Sequence, residues 1–287
     1  MAVFRVNCRG KVLEIGERPL IMGILNITPD SFSDGGEYLE AGRAVAHGLA
    51  MVREGADLID VGGESTRPGA QAVEPEEQIR RIAPVIWALA RETEAVISVD
   101  TTSSTVAEAA LEAGACLIND VSALRFDGEM APLAAQTGAP VILMHMLGEP
   151  RTMQENPRYV DVVREVRDFL AERIEFAVAA GVPRSQIIVD PGIGFGKTAG
   201  HNLLLLRQLA QLGELGVPVL VGPSRKSFIG KVLGLAAPGE RLYGTAAAVA
   251  LAVAAGAQIV RVHDVQPMRE AAELAAAVRQ AGGAAAD

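Results

Sequence analysis

The chain has 287 residues, a formal net charge of −9 and 49% hydrophobic residues. That many apolar residues can form a sizeable core, which excludes a chain that is disordered throughout. An acidic chain without a basic tail does not fit a nucleic-acid-binding protein, although a few convergent Arg and Lys side chains can still hold a small anion. Two cysteines, Cys8 and Cys116, are too few for a disulfide framework and indicate a cytoplasmic protein.

In chain order, the sequence predicts a β-hairpin followed by eight strand–helix units. Residues 1–18 alternate between apolar and polar side chains, as hairpin strands do, and contain no apolar signal segment. Apolar segments rich in Val, Ile and Leu then predict buried strands at 20–27, 57–64, 95–101, 116–122, 140–145, 187–192, 218–224 and 258–264. The segments between these strands predict helices, among them 41–54, 159–180 and 243–255.

Buried parallel strands that alternate with helices form either a closed barrel or an open sheet. Eight units predict an α/β fold of the (β/α)8 TIM-barrel class, with the N-terminal hairpin covering its bottom; a doubly wound open sheet is the alternative. No linker composition interrupts the chain, so we expect one domain over residues 1–287, with a frayed tail at 281–287. Residues 242–260 are mostly apolar but only weakly hydrophobic, so we expect a buried helix and strand rather than a membrane span.

Most predicted strands end in a polar residue. In LIMGILNITPDSFSDGG, at 20–36, an apolar strand changes at Asn26 into a segment too rich in Pro, Asp, Ser and Gly to continue it. In a barrel such residues converge on the C-terminal end, where these enzymes place their sites. A single polar residue after a strand is more often a helix cap, the role we expect for Asp34, Ser103 and Ser104. The strand-end residues are Asn26, Glu64, Thr66, Arg67, Asp100, Asn119, His145, Asp190, Ser224, Arg225, Lys226, Arg261 and His263.

One subset of these residues suits the edge of a flat heterocycle. Asp100, Asn119 and Asp190 lie within or at the end of apolar segments, where a carboxylate is costly to bury without partners. Together with Lys226 they offer hydrogen-bond donors and acceptors to such a ring.

A second subset is cationic. Arg67, Arg261 and His263 come from distant positions, and the barrel brings them near Asn26, an arrangement that suits a diphosphate. Ordinary surface ion pairing is the alternative. No His or Cys cluster has zinc spacing, so a single Asn ligand predicts a hard ion such as Mg²⁺, completed by water and substrate phosphates.

The segment PGIGFGKT, at 191–198, is similar to a phosphate-binding loop but has Pro191 in place of its first glycine. Without that glycine, and after the sixth strand, we do not expect an anion cradle here. We expect the glycines to let Phe195 and the backbone approach a ligand closely.

Several motifs occur in order along residues 3–276 and identify a family resemblance. They are MGILNITPDSFSDGG, GGESTRPG, SVDT, IND, MHM followed by TMQ, DPGIGFGK, GPSRKSFIG and RVHDV. Together they closely resemble the dihydropteroate synthases of folate biosynthesis. The resemblance implies a (β/α)8 barrel, Mg²⁺, a homodimer, and the condensation of 6-hydroxymethyl-7,8-dihydropterin diphosphate with 4-aminobenzoate.

The resemblance also implies roles for individual residues. Asn26 corresponds to the Mg²⁺ ligand, and Met144 to a residue that packs on the pterin ring. The pterin-binding set corresponds to Asp100, Asn119, Asp190 and Lys226. The diphosphate-binding set corresponds to Thr66, Arg67, Arg261 and His263. The aminobenzoate pocket corresponds to Phe32, Pro68, Phe195 and Ser224, and the residues that act in catalysis to Asp100, Lys226, Arg67 and His263.

Two other functions remain open at this point. A pterin-binding methyltransferase on a similar barrel would need neither TPDSFSDGG nor STRPG, and both are present. A non-catalytic pterin-binding protein is disfavoured by the intact Arg67, Lys226 and His263.

Overall fold

The computed structural model describes residues 3–27, 37–64, 73–149 and 152–281. The N-terminal segment forms the expected hairpin from β1 (Phe4–Cys8) and β2 (Lys11–Ile15), which pair antiparallel. Arg9 and Gly10 form its turn with φ values of 52° and 104°, the left-handed conformations that a two-residue hairpin loop requires.

The barrel consists of eight parallel strands in the described part of the chain. They are β3 (Leu20–Asn26), β4 (Leu58–Gly62), β5 (Val96–Asp100), β6 (Leu117–Asp120), β7 (Val141–Met144), β8 (Ile187–Asp190), β9 (Leu220–Val221) and β10 (Ile259–Val262). The strands from β3 to β8 pair consecutively, β9 pairs with β10, and β10 also pairs with β3, the first barrel strand. A parallel bridge between Val189 and Val219 joins β8 to the β9 segment. These pairings confirm the barrel and exclude the doubly wound open sheet.

Apolar side chains of the hairpin fill the bottom of the barrel. Val6, Cys8, Leu13 and Ile15 are buried. They pack in one cluster with side chains from the N-terminal parts of the strands: Leu20, Met22, Leu58, Val96, Cys116, Leu117, Ile142, Ile188, Leu220 and Ile259. The hairpin therefore covers this end, as predicted, and leaves the C-terminal end for a site.

Helices surround the strands, and the larger core lies between the two layers. They are α1 (Glu37–Arg53), α2 (Pro75–Glu92), α3 (Ser104–Ala113), α4 (Met130–Thr137), α5 (Val162–Ala179), α6 (Ala199–Arg207), α7 (Ser227–Leu233), α8 (Leu242–Ala254) and α9 (Val265–Gln280). Ser103 caps α3 as predicted, and its hydroxyl accepts a hydrogen bond from the backbone N–H of Val106. Ser104, also predicted as a cap, is instead the first residue of that helix.

Two segments differ from the sequence prediction. The strand predicted at 218–224 shortens to β9, since Pro223 has no N–H to donate to a strand ladder. The basic segment that follows β9 forms α7, which was not predicted. Residues 242–260 divide into α8 and β10, and no helix among the described residues is long and apolar enough to cross a membrane.

Candidate active site

A cavity of about 590 Å³ lies at the C-terminal end of the barrel, next to the ends of β3, β9 and β10 and the loop after β8. Its described lining contains five Arg or Lys residues and no Asp or Glu, so the cavity is locally cationic within an acidic chain. The lining residues are Ile24, Asn26, Met153, Gln154, Gly194, Phe195, Gly222, Ser224, Arg225, Lys226, Ser227, Lys231, Pro238, Arg241, Arg261 and His263.

Two predicted carboxylates are buried at strand ends. Asp100 ends β5 and Asp190 ends β8, and each is 6% exposed. Burial raises the pKa of Asp100 to about 7, a shift that Arg261 opposes and Asp60 increases. Burial likewise raises the pKa of Asp190 to about 6, against a hydrogen bond that its Oδ1 accepts from the backbone N–H of Gly192. Acids that titrate this close to neutrality are typical of functional sites.

Arg261 lies between two buried carboxylates. Its Nε donates to Oδ2 of Asp60 at 2.6 Å, and its Nη2 donates to Oδ2 of Asp100 at 2.7 Å. Burial lowers the pKa of Arg261, but these two carboxylates outweigh burial and raise it overall. The guanidinium is therefore a fixed cation at the wall of the cavity.

Asn119 belongs to the same network. Its Nδ2 donates to Oδ2 of Asp60 at 2.9 Å. Asp60 lies in the middle of β4 and is fully buried. Asp60 was not among the residues predicted from the sequence, because it does not lie at a strand end. Its sequence signal is a carboxylate inside the otherwise apolar strand LIDVG.

Lys226, Phe195 and Met144 lie on one side of the site. The ammonium of Lys226 is 3.9 Å from the centroid of the Phe195 ring, a cation–π contact. A Cβ at residue 194 would lie 2.8 Å from Cδ of Lys226, so this position, with φ of 84°, requires Gly194. Phe195 and Met144 share a small apolar cluster with Met153.

Ser224 and His263 follow the neighbouring strands β9 and β10. The backbone N–H of His263 donates to Oγ of Ser224 at 3.1 Å, and that Oγ lies 2.9 Å from Nδ1 of the imidazole. The structure thus joins Ser224, expected in the aminobenzoate pocket, to a residue of the diphosphate set.

Lys197 organises the loop after β8, and the sequence analysis assigned it no role. Its Nζ lies 2.9 Å from Nδ1 of His145 and donates to the carbonyl oxygens of Gly192 at 3.0 Å and Phe195 at 2.9 Å. Burial lowers its pKa to about 7. Nζ thus faces protein acceptors, and the absence of an anion cradle in this segment stays a prediction. Its glycines accommodate protein neighbours instead, since a side chain at residue 192 would collide with the carbonyl oxygen of His145.

Four predicted site residues, Phe32, Thr66, Arg67 and Pro68, lie outside the described residues, as does the predicted cap Asp34.

Asn26 ends β3 and lines the cavity. A Cβ at residue 62 would lie 3.5 Å from its Oδ1, so Gly62 leaves room beside this oxygen. Among the residues that the structure describes, no group of three or more His, Cys, Asp or Glu side chains could hold a metal ion. An amide oxygen is a ligand that a hard ion such as Mg²⁺ accepts, and the ion's other ligands would be water and substrate phosphates, whose negative charge offsets the cationic lining.

Comparisons with known proteins agree with this fold and site. The chain matches the pterin binding enzyme family over residues 22–263. The dihydropteroate synthase of Synechocystis sp. is 51% identical over 263 residues, which are 92% of this chain and 91% of that protein. The structure of Xanthomonas albilineans dihydropteroate synthase with 4-aminobenzoic acid has a TM-score of 0.91 at 48% identity, covering 97% of this chain and 99% of that one. The same enzyme with 7,8-dihydropteroate has a TM-score of 0.86 at 45% identity, covering 96% and 98%.

The (β/α)8 barrel carries buried carboxylates and cations at its C-terminal end, and the match over residues 22–263 places the chain among the pterin binding enzymes. Within that class, the chain belongs to the dihydropteroate synthases, which are transferases of folate synthesis. The motif resemblance is thereby confirmed, and neither the methyltransferase nor the non-catalytic alternative is supported.

Proposed function

We propose that this cavity condenses 6-hydroxymethyl-7,8-dihydropterin diphosphate with 4-aminobenzoate, giving 7,8-dihydropteroate and diphosphate. The observation that carries the proposal is the contact between the two halves of the site. Arg261, at the wall of the cationic cavity, donates directly to Asp100, which belongs to the buried carboxylate set. A substrate with a flat hydrogen-bonding ring and an anionic tail needs both halves next to each other.

The pterin ring binds in the carboxylate half of the site. The proposed ligands are Asp100, Asn119, Asp190 and Lys226, with Met144 packing on the ring. Burial of Asp100 and Asp190 supports this assignment, since a ring N–H or amino group supplies the hydrogen-bond donors that such carboxylates require.

The diphosphate binds in the cationic half, to Arg261 and His263 together with Thr66 and Arg67. Arg261 is already held by two carboxylates, so it needs little reorganisation when charge develops on the leaving group. Asn26 would hold Mg²⁺ here, and the bound ion supplies positive charge that stabilises diphosphate.

The reaction begins when the bond between the pterin methylene and the diphosphate oxygen breaks, with both electrons leaving on oxygen. The cation that remains is delocalised over the ring, and the carboxylate of Asp100 stabilises it electrostatically. The amine of 4-aminobenzoate then forms the new C–N bond with its lone pair, and its proton passes to water or to the released diphosphate. Arg67, Lys226 and His263 are the other residues proposed to act in catalysis, and no enzyme nucleophile is required.

The second substrate binds beside the methylene, in a pocket formed by Phe32, Pro68, Phe195 and Ser224. The position of Phe195 supports this assignment, because its ring is at the cavity wall and contacts the pterin-site residue Lys226. The two substrates would therefore bind next to each other, where orientation accelerates the attack.

The enzyme is also proposed to be a cytoplasmic homodimer. The helices α8 and α9 pack against each other, and both carry exposed apolar side chains. These side chains support the dimer. The cytoplasm is supported by the free state of Cys8 and Cys116.

A turnover assay tests the proposed function. With both substrates and Mg²⁺, the protein should release diphosphate and form 7,8-dihydropteroate in equal amounts. Asp100→Asn should release little of either, because a neutral amide cannot stabilise the cation. Wild-type protein that binds the pterin substrate but forms no dihydropteroate would contradict the proposal.

A further inference from the structure

Asp60 is a buried carboxylate to which neither the motifs nor the proposed reaction assigns a role. It lies in β4 two residues before the strand ends, level with Ile24 on one neighbouring strand and Ser98 on the other. It is 0% exposed. A carboxylate at such a position is costly unless charged or polar partners compensate for its burial.

The partners of Asp60 belong to the proposed substrate site. Its Oδ2 accepts two hydrogen bonds, from Nδ2 of Asn119 at 2.9 Å and from Nε of Arg261 at 2.6 Å. Arg261 donates its Nη2 to Asp100 in turn. Oδ2 of Asp60 is therefore bonded directly to one proposed pterin-binding side chain, Asn119. Through the guanidinium of Arg261 it is linked to a second one, Asp100.

This contact fixes the orientation of the Asn119 amide. A side-chain amide can present either its oxygen or its nitrogen to a neighbour, but an ionised carboxylate only accepts hydrogen bonds. Asp60 therefore selects the nitrogen as the atom that faces it. The carbonyl oxygen of Asn119 is then turned away from Asp60 and serves as an acceptor for a ring N–H or amino group.

We propose that Asp60 is a positioning residue of the pterin site, which orients Asn119 and Arg261 through one shared oxygen and thereby sets the hydrogen-bonding pattern that the ring meets. The proposal deepens the proposed function and rests on it. It requires that Asp60 act as a hydrogen-bond acceptor rather than only as a filler of the barrel interior.

Two substitutions separate these possibilities. Asp60→Asn keeps an oxygen acceptor, and Arg261, which has only donors, forces that oxygen to face it. Because the same oxygen also accepts the hydrogen bond from Nδ2 of Asn119, Asp60→Asn should preserve the orientation of the Asn119 amide. Asp60→Leu has a similar size but no acceptor, so it should release Asn119.

Asp120 provides a matched control. It is also 0% exposed and lies on the adjacent part of the sheet, in β6. Its oxygens accept hydrogen bonds from the backbone N–H groups of Ser122 at 2.7 Å and Leu124 at 2.9 Å. Asp120→Asn therefore perturbs a buried carboxylate whose hydrogen bonds hold a loop, and it reaches the proposed substrate ligands only through its charge, which acts on Asp100.

The measurement is calorimetric titration of 6-hydroxymethylpterin into each variant, with thermal unfolding recorded in parallel. Asp60→Leu should weaken pterin binding by roughly 10–100-fold, as substitutions behind ligand-orienting residues do. Asp60→Asn should stay within about threefold of wild type. Asp120→Asn should lower the unfolding temperature and keep wild-type pterin affinity. Asp60→Asn that binds as weakly as Asp60→Leu, or Asp60→Leu that binds like wild type, would overturn the proposal.

A double-variant cycle adds a readout that a purely structural role would not move. In protein that already carries Asn119→Ala, Asp60→Leu should cost much less pterin affinity than it does alone, because the side chain it orients is gone. Full additivity would contradict the proposal. Where Asp60→Leu does not fold, the comparison of Asp60→Asn with Asn119→Ala decides the question: the former should retain pterin affinity and the latter should lose it. Wild-type turnover is measured alongside, so that a failure of the proposed function is recognised separately.

Discussion

The hydroxyl of Ser224 and Nδ1 of His263 lie 2.9 Å apart, and the same hydroxyl accepts a hydrogen bond from the backbone N–H of His263. Whichever of the two atoms donates, Nδ1 is occupied by Ser224. If Nδ1 accepts from Ser224, the neutral ring carries its proton on Nε2, and if Nδ1 donates, Nε2 is an acceptor. His263 lines the cavity, so Ser224 fixes the orientation of a ring at the wall where the diphosphate is proposed to bind.

The first prediction follows from this pair. Ser224→Ala should reduce kcat by roughly tenfold or more, the size observed when a residue that orients a histidine is removed. In a His263→Ala background the same substitution should have little further effect. Steady-state rates of the four proteins measure this coupling. If Ser224 acted only as a wall of the aminobenzoate pocket, the two effects would be additive and the change would appear in KM for aminobenzoate.

A second prediction concerns pH. The pKa of Asp100 is raised to about 7, mainly by burial, and only the ionised form stabilises the pterin cation. The value of kcat/KM should therefore fall as the pH is lowered through about 7. Asp60→Asn removes a negative charge that raises this pKa, so it should move the acid limb to lower pH. The displacement of the limb between wild type and Asp60→Asn separates the titration of Asp100 from that of the diphosphate, because the substrate is the same in both profiles. A wild-type profile that is flat through neutrality would contradict the role of Asp100.

The third prediction concerns the metal. Asn26 is the proposed protein ligand of Mg²⁺, so Asn26→Ala should raise the Mg²⁺ concentration needed for half-maximal rate by roughly tenfold or more, the effect expected when an oxygen ligand is lost. EDTA should abolish turnover of the wild type without lowering its unfolding temperature, and added Mg²⁺ should restore the rate. Full activity after verified removal of metal would refute the assignment.

The sequence predicted the barrel well because its signals are local. Buried parallel strands appear as short apolar segments, and the polar residue after each one marks the same end of the barrel. Asp100 and Asp190 were therefore identified correctly as buried strand-end carboxylates without any structure. The alternation of polar and apolar residues likewise predicted the antiparallel hairpin.

What the sequence could not show is which partners those side chains select. Arg261 and Asp60 are 201 positions apart, and their ion pair depends on the neighbouring positions of β3, β4 and β10 in the closed barrel. The buried position of Lys197 was not predicted, because a lysine in a glycine-rich loop normally faces solvent or an anion. Only the folded loop shows that its ammonium faces inward, toward main-chain carbonyls.

The fourth prediction tests this buried lysine. Lys197→Met should lower the free energy of unfolding by roughly 2–4 kcal/mol, because several buried acceptors lose their donor.

The contribution of Lys197 should also depend on pH, because its folded pKa of about 7 lies below the unfolded value near 10.4. Between these values the unfolded chain binds more protons, so the contribution of Lys197 to stability should rise with pH from about 7 to about 10 and be absent in the variant. Denaturant unfolding at several pH values measures this. The exposed Lys231→Met is the control, and a pH dependence equal in Lys197→Met and wild type would contradict the prediction.

The last prediction concerns assembly. Tyr243 and Leu251 on α8 are 85% and 62% exposed, and Leu274 and Val278 on α9 are each 68% exposed. These two helices pack against each other, and each carries two exposed apolar side chains, the kind of residue that subunits bury. We expect sedimentation velocity to give twice the 30.0 kDa chain mass for the wild type.

Leu251→Glu combined with Leu274→Glu should convert the protein to the 30.0 kDa monomer, since burying two carboxylates in an apolar interface is costly. Trp87→Glu is the control, because this residue is 55% exposed on the distant helix α2 and should leave the dimer intact. A wild type that sediments as a monomer across micromolar concentrations would refute the dimer, and dissociation by Trp87→Glu alone would place the interface elsewhere.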